Sequence, residues 1–564
     1  MRTTQPGGIL LVVVALALLW AAPRAFSETT DHIEQHGVTF TFDAAYEYGT
    51  FANGDYWVVT GGDGAVTITG MPPAFDGKHH GWEVNPDHIR RQGFDTRVHH
   101  FDASRVPDLP YDASAGESVV KAISVDLDKK RARPALRAAV VLTVLAQAPP
   151  GGGERTFRPP YFGADKPLYS TDDLHPEKLP GITAPGVRHV PSLDWVERRF
   201  RRVWLDHKTN WSGRHMHPAE NMPEYGAGIA RDTGKAALRL MMDDTVDKKM
   251  PALVNYVQLG IDLYHMRRGG QKWPPNGGHC SGRKLPIAFA GALLENEDMK
   301  RVVREAPDPT VFQEDSSVYY SPTAKMVLWG QPMPERQYWS RLCNDRGSKT
   351  AKDPYGYIDG GMQPGASYQA CCNSNTWKAT ALCLHLMPEL RGIWNYEPFL
   401  DYEDRWVNFG AWSRPDPYAL DCDDPGSKDT NPADGTGRFP EAHAKNADGG
   451  AWTSRFAGEM WQALRPGDAA GMPAILPYEK DGAYARGGHV TFTDSVEVTL
   501  ESSPRTPGCE LRYTLDGSTP TKESTLYEKP FEITETTTVK ARAFKDGLYE
   551  SAVNTATFET GGGE

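Results

Sequence analysis

The chain has 564 residues and a formal net charge of −12, with 61 Lys and Arg against 73 Asp and Glu. A chain of this length is too long for one ordinary core and predicts roughly two to four domains. Because there is no basic excess, bulk electrostatics cannot hold nucleic acid or an anionic membrane, and neither is an expected partner. Positive charge for a polyanionic substrate must therefore be concentrated locally.

The first 27 residues have the pattern of a secretory signal. Arg2 supplies the positive start, an apolar run follows from Ile9 to Ala22, and small residues stand at Ala25 and Ser27. The apolar run is too short to span a bilayer comfortably, and no second hydrophobic stretch follows it. The sequence therefore predicts a signal peptide over residues 1–27 and a secreted or periplasmic protein without a membrane span.

Three further regions follow in chain order. Residues 28–148 show strand alternation and hairpin signals, ending in the buried run AAVVLTVLA, and predict an N-terminal β-rich region. A stretch rich in Pro and Gly at 149–191 reads as a linker or long loop, after which helical periodicity predicts a mainly helical domain over 149–480. Strand alternation returns at 487–560 and predicts a β-sandwich. The helices are expected at 228–242, 248–268, 285–294, 375–387 and 452–464.

Polar side chains that could carry chemistry gather in loops rich in Gly, Pro and aromatic residues, where binding sites tend to lie. The loop NWSGRHMHPAENMPEYG contains His215, His217, Glu220, Asn221 and Tyr225. The loop KWPPNGGHCSGRKLPI contains Asn276, His279 and Arg283. A looser third group comprises Glu314, Asp315, Tyr319, Tyr320, Tyr355, Tyr357, Tyr368, Asn373 and Asn375.

Two patterns could in principle hold a metal ion, but no metal and no cofactor is predicted. His215 and His217 could converge on an ion with Glu220 as a third ligand; alternatively one imidazole packs and the other faces solvent. Oxygen ligands for calcium could come from Asp421, Asp423 and Asp424, but a solvated turn is the favoured interpretation.

The residue types favour β-elimination from a uronic acid. The enzyme must remove the C5 proton, which is very weakly acidic while the adjacent carboxylate is charged. Hydrogen bonds and positive charge from Asn, Arg or His offset that charge, and each well-placed donor is worth ~3–4 kcal/mol in such sites. A His or a Tyr then takes the proton, and a Tyr can protonate the departing glycosidic oxygen.

The strings FANGDYWVV, NGGHCSGRKLPIAFAG, YQACCNSNTW and FLDYEDRW resemble polysaccharide lyases of the family 38 type, which act on alginate or glucuronan; the resemblance covers roughly residues 40–412. It implies a helical (α/α) toroid and a metal-independent elimination. His279 is then the base or neutralising residue, Arg283 and Asn221 contact the uronate carboxylate, and Tyr320 or Tyr368 is the acid. Sequence does not choose among Tyr225, Tyr320, Tyr357 and Tyr368. His217 and Glu220 are further candidates for substrate binding.

The C-terminal segment LRYTLDGSTPTKESTLYEKPFEITETTTVKARAFKDGLYES resembles the chitobiase/β-hexosaminidase C-terminal type of domain. Asp516 and Gly517 fit its hairpin turn. Such a module is usually an accessory or spacer, so no catalytic role is expected of it. It indicates a carbohydrate setting without naming the sugar.

The leading prediction is an exported lyase that cleaves a uronic-acid-containing polysaccharide. One alternative is a glycoside hydrolase on a helical toroid, which needs two carboxylates roughly 5–9.5 Å apart. Glu220, Glu224, Glu314 and Asp315 could supply them. Another is a non-catalytic surface protein that binds polysaccharide through its Trp and Tyr side chains, which would not need clustered His, Arg and Asn.

Overall fold

The structure is a computed structural model, and it describes residues 28–127, 132–306, 311–322, 325–329, 372–410, 454–479 and 487–561. About 30% of it is helix and 26% is strand. The prediction of a mainly α (α/α) toroid is therefore wrong. A curled mixed sheet forms a half-barrel, and one face of this sheet shares a core with the helices, which also pack on one another.

The strands of the N-terminal sheet are β1 Thr29–Gln35, β2 Val38–Thr50, β3 Tyr56–Val59, β4 Ala65–Gly70, β5 Trp82–Val84, β6 Tyr111–Ser114, β7 Ser118–Ser124 and β8 Leu136–Leu145. In the described residues they form one sheet in the order β5-β7-β8-β3-β2-β4-β6, with β1 also paired to β2. The long strand β2 pairs with β4 through its first half and with β3 through its second. Strands β3 and β8 are parallel, and the other pairs are antiparallel.

The two faces of the central strands β7 and β8 are buried in different cores. Val120 and Val141 point into the core that also contains the helices, whereas Val119 and Val140 point into the interior of the half-barrel. Burial on both faces explains why these strands read as nearly continuous apolar runs. The run AAVVLTVLA, which the sequence left open between strand and helix, is a strand.

The helices are α1 Leu193–Phe200, α2 Asn210–Gly213, α3 Gly226–Leu240, α4 Val246–Arg268, α5 Lys284–Leu293, α6 Glu297–Arg304, α7 Gln313–Ser316, α8 Ser374–Leu386, α9 Pro388–Trp394, α10 Glu397–Arg405 and α11 Arg455–Leu464. The predicted helices are all present, with ends shifted by about three residues or fewer. Side-chain oxygens of Ser192, Asn296 and Ser454 cap α1, α6 and α11 by accepting backbone N–H groups. A π-helical turn, Trp406–Gly410, continues α10, and a two-stranded hairpin of β9 Val318–Ser321 and β10 Met326–Trp329 follows α7.

The irregular stretch at 149–191 is firmly packed between the sheet and the helices. Arg158 is 1% exposed and forms ion pairs with Asp55, in the β2–β3 turn, and with Asp262 of α4, at 2.7 and 2.5 Å. Phe157 and Tyr161 on either side belong to the shared core. This segment thus joins two layers of the molecule.

The C-terminal strands are β11 Ala474–Leu476, β12 Gly488–Phe492, β13 Val496–Glu501, β14 Glu510–Thr514, β15 Thr525–Leu526, β16 Phe531–Ile533, β17 Thr537–Phe544 and β18 Asn554–Thr560. They form sheets of order β11-β13-β16 and β12-β18-β17-β14-β15 around one core. This sandwich contacts the helices: Glu397 accepts a hydrogen bond from the Val553 N–H at 2.9 Å, and Asn554 donates to the Pro473 carbonyl at 2.8 Å. Across the described ranges, none of the helices has the length and apolar character needed to cross a membrane.

Candidate functional site

Two of the loops singled out by sequence meet at the N-terminal ends of α3 and α5. Glycines allow their close approach: a Cβ on Gly226 would lie 2.2 Å from the carbonyl oxygen of His279, and one on Gly278 would lie 2.6 Å from the Tyr225 hydroxyl. Any side chain at either position would push the loops apart. The glycines therefore set His279 directly against Tyr225.

Three aromatic rings form the centre of this site. The ring centroids of Tyr225 and His279 are 4.8 Å apart and those of Trp211 and His279 are 5.8 Å apart, both edge to face. Trp211, on the short helix α2, is 48% exposed. An exposed indole beside a histidine and a tyrosine gives the site an open aromatic wall.

Two arginines lie over the Trp211 and Tyr225 rings. The Arg133 guanidinium lies 5.0 Å from the Trp211 ring centroid, and that of Arg214 lies 5.2 Å from the Trp211 ring and 4.5 Å from the Tyr225 ring. Both pair with one carboxylate, Glu224, at 2.9 and 2.7 Å. Two guanidinium groups with one carboxylate leave an excess of positive charge. We refer to Arg133, Trp211, Arg214, Glu224, Tyr225 and His279 together as the Trp211 cluster.

The imidazole of His279 is uncharged at neutral pH. Burial lowers its pKa to about 4, and the positive charges of Arg214, Arg283, His217 and Arg133 act in the same direction. Its Nδ1 is buried and makes no hydrogen bond with any described residue. A neutral ring of this kind can accept a proton, but only weakly.

The hydroxyl of Tyr225 is held in place by the same loop. It accepts a hydrogen bond from the backbone N–H of Gly278 at 2.9 Å. This N–H and the Arg214 guanidinium over the ring would both stabilise negative charge on the phenolic oxygen. Tyr225 is therefore placed to give up a proton.

A buried ionic network lies beneath the His279 loop. Arg283 pairs with both carboxylate oxygens of Asp206, at 2.7 and 2.9 Å, and donates to the His279 carbonyl at 3.0 Å. His217 places Nε2 3.2 Å from Asp206. Burial alone would raise the pKa of Asp206, but Arg283 and then His217 outweigh it and bring the pKa to about 2. Arg283 and His217 thus support the loop from inside and are buried away from a ligand in the cluster.

Members of the third group of predicted residues also hold this loop, together with Gln313, which was not among the predicted candidates. Gln313 donates to the Gly277 carbonyl at 2.5 Å and accepts from the Cys280 N–H at 2.9 Å. Glu314 accepts from the Gly282 N–H at 2.6 Å, and burial raises its carboxyl pKa to about 7. Asp315 pairs with Lys284 at 2.5 Å. Another member, Asn373, receives a hydrogen bond from Gln313 at 2.7 Å.

Two residues predicted to bind substrate lie outside the Trp211 cluster. Asn221 is 3% exposed and donates to the Arg202 carbonyl at 2.9 Å. Glu220 forms surface ion pairs with Arg202 and, at 3.6 Å, with Arg137. Their described contacts are with groups of the protein itself.

Of the two tyrosines predicted as the acid, Tyr320 lies outside the Trp211 cluster, and Tyr368 is not among the described residues. The Tyr320 ring packs on Tyr478 with centroids 5.2 Å apart, next to the C-terminal sandwich, and burial raises its pKa well above the usual value. Tyr355, Tyr357 and Tyr368 lie outside the described residues. Of the tyrosines left open by sequence, Tyr225 is the one that the structure places against His279.

The metal-binding alternative finds no support in the geometry of its residues. His215 donates from Nδ1 to the Ala132 carbonyl at 2.8 Å and lies edge to face with Trp211, while His217 donates to the carbonyls of Pro223 and Glu224. Within the described ranges, no group of three or more His, Cys, Asp or Glu side chains could hold a metal ion. The calcium candidates Asp421, Asp423 and Asp424 lie outside those ranges.

Sequence reasoning missed Trp211, Arg214 and Arg133. The first two stand in the loop that contains His215 and Tyr225, so a Trp in a polar, Gly-containing loop was an available signal. Arg133 comes from the segment before β8 and meets Glu224 from a sequence distance of 91 residues. No local pattern marks such a partner.

Residues 486–555 match the family model of the chitobiase/beta-hexosaminidase C-terminal domain. No curated protein and no solved structure matches the chain. The comparisons therefore identify a family for the C-terminal sandwich and leave the part that holds the Trp211 cluster without one.

Proposed function

We propose that this protein is an exported lyase that cleaves a uronic-acid-containing polysaccharide, of the alginate or glucuronan kind, by β-elimination at the Trp211 cluster. One observation carries the proposal. The uncharged imidazole of His279 lies edge to face with the Tyr225 ring, one guanidinium group lies over that ring, and a second lies over the neighbouring, exposed indole.

Trp211 and the arginines supply binding. The exposed indole offers a flat apolar face to a sugar ring. Arg214 and Arg133 have planar donor groups that suit a carboxylate, and each is only partly used by Glu224. Pairing with a guanidinium offsets the charge of the uronate carboxylate, and this makes the C5 proton more acidic.

His279 and Tyr225 supply proton transfer. The neutral imidazole accepts the C5 proton, the C5–H electron pair forms the C4–C5 double bond, and the bond from C4 to the glycosidic oxygen breaks. Tyr225 gives its proton to that oxygen, and the Gly278 N–H stabilises the phenolate that remains. No water is consumed. Exchange with solvent then returns a proton to Tyr225 and removes one from His279.

Two further features agree with a carbohydrate substrate. The C-terminal sandwich belongs to a type named after enzymes that act on amino sugars, and such modules are usually accessory. The His279 loop also contains one of the four strings that resemble the family 38 lyases, and this resemblance is compatible with the site although the toroid is absent.

Hydrolysis is less well supported by the described carboxylates. Glu224 is engaged by two arginines, while Glu314 and Asp315 are buried and bonded to the Gly282 N–H and to Lys284. A glycoside hydrolase needs one acidic and one basic carboxyl group flanking the sugar. The exposed Trp211 alone would suit a non-catalytic binding protein, and the experiment below separates that case as well.

The test is the ultraviolet absorbance of the conjugated C4–C5 double bond during incubation with alginate, glucuronan and other uronic-acid polymers. The wild type is expected to produce this absorbance, and His279→Ala and Tyr225→Phe should each reduce the rate by about 10²–10⁴-fold because each removes a proton-transfer group. The matched controls are His189→Ala, whose imidazole pairs with Glu459, and Tyr527→Phe, whose ring packs on Phe531 in the C-terminal sandwich; both should retain the rate.

New reducing ends without this absorbance would replace elimination by hydrolysis. Binding of polymer without any product would favour the non-catalytic protein. Equal losses in the variants and in their matched controls would remove His279 and Tyr225 from the mechanism.

A further inference from the structure

A cleft of about 570 Å³ opens beside α2, the short helix that contains Trp211. Asn210 and Ser212, the residues on either side of Trp211 in α2, contribute to its wall. Asn210 also accepts a hydrogen bond from the thiol of Cys280 at 3.2 Å, and Cys280 follows His279 directly. The cleft therefore adjoins the Trp211 cluster through both of its loops.

The lining of this cleft is basic. It includes Arg90, His100, Lys208 and Lys272, and among the described residues that line it there is no Asp or Glu. A local group of cations without a carboxylate contrasts with the net charge of −12 for the whole chain. We call it the Lys208 cleft.

Lys208 is held at the inner wall of the cleft. It is 1% exposed, and its ammonium group donates to the Arg90 carbonyl and lies 3.3 Å from His100 Nδ1. Burial lowers the pKa of Lys208 to about 8, so the group is still mainly charged at neutral pH. Arg90 and Lys272 lie at exposed positions of the rim. A fixed inner charge and outer cations are suited to an anionic group that enters from solvent.

We propose that the Lys208 cleft is a second subsite, which binds the carboxylate of a neighbouring uronate when a chain lies across Trp211. This inference rests on the proposed function, because it takes the substrate to be a polyuronate. A polyuronate in contact with Trp211 carries further negative charges along its length, and the cleft lined by Asn210 and Ser212, the neighbours of Trp211, presents complementary charge. The enzyme should therefore prefer longer anionic chains over the shortest that reach the cluster.

The test compares the rim variant Arg90→Ala/Lys272→Ala with the control Arg188→Ala/Lys522→Ala, which removes the same number of surface cations elsewhere. Titration calorimetry with uronate oligosaccharides of increasing length, in a His279→Ala background, measures affinity without turnover. The rim variant should lose about tenfold in affinity for long oligomers and less than about twofold for the shortest. Its affinity should also depend less steeply on salt concentration. The control should match the parent protein.

A loss that is the same at every length, or equal losses in rim variant and control, would overturn the subsite. Inorganic phosphate displacing short and long oligomers equally from the parent would show a general anion site and would also overturn it. The elimination assay is read separately. If absorbance never appears but long-chain affinity still depends on Arg90 and Lys272, the proposed function fails and the subsite stands as a binding site.

Discussion

The side chains of the Trp211 cluster owe much of their chemistry to neighbours that are distant in the sequence. His279 has its low pKa because it is buried and because arginines from three separate stretches of chain lie near it. The sequence indicated the residue, since two glycines precede it, but not this environment. The sequence predicted that Arg283 contacts substrate, yet Asp206, 77 residues away, binds Nε and one terminal nitrogen of its guanidinium group, and the other nitrogen donates to the His279 and Ser281 carbonyls.

The low pKa of His279 predicts that kcat/KM falls on the acid side of its pH profile only at an unusually low pH. Because the ring is neutral above about pH 4, kcat/KM, which reports on the free enzyme, should hold down to about pH 5 and fall only as the ring is protonated. Removing a nearby positive charge with Arg214→Gln should move the limb to higher pH, apart from any loss in rate. The measurement is kcat/KM against pH on one polymer, with Arg188→Gln as the control. A limb near pH 6.5 in the wild type, where an unperturbed histidine titrates, would contradict the assignment.

At the scale of elements, periodicity located the helices and alternation located the strands, because both patterns come from the burial of one face. Pairing between distant strands was not accessible in this way. Strand β3 lies parallel to β8 across more than eighty residues of chain, and only the folded molecule shows that β7 and β8 present one face to the helices and the other to the half-barrel.

The segment around Arg158 shows that a Pro- and Gly-rich stretch can contribute to the stability of the fold. Arg158→Met would leave the carboxyl groups of Asp55 and Asp262 buried without their shared cation. Breaking such a buried pair typically costs about 3–5 kcal/mol in the free energy of unfolding. Arg155→Met is the matched control, since Arg155 pairs with Asp172 at the surface, and it should change the free energy by less than about 1 kcal/mol.

Chemical denaturation followed by circular dichroism measures both Arg158 and Arg155 variants. A loss for Arg158→Met no larger than that of the control would mean that the segment is merely a covering loop, as its composition suggests.

At the scale of the whole molecule, local patterns predicted the order of β-rich, helical and β-rich regions along the chain. They did not predict how these regions pack against one another. The expectation of a mainly helical toroid came from resemblance, and it failed because the described residues contain almost as much strand as helix, with a half-barrel sheet that shares a core with the helices. The C-terminal sandwich was predictable for the opposite reason: its turn and strand motifs are local, and the same residues match a known family model.

The central claim is that bond cleavage at the Trp211 cluster occurs by elimination. Digestion of a uronate polymer in water enriched in ¹⁸O, followed by mass spectrometry of the products, tests it most directly. The account predicts unsaturated oligosaccharides with no ¹⁸O from the cleavage step, because the glycosidic oxygen leaves with a proton from Tyr225 and no water enters. Saturated products that carry one ¹⁸O per bond cleaved, at the new reducing end, would contradict it and establish hydrolysis.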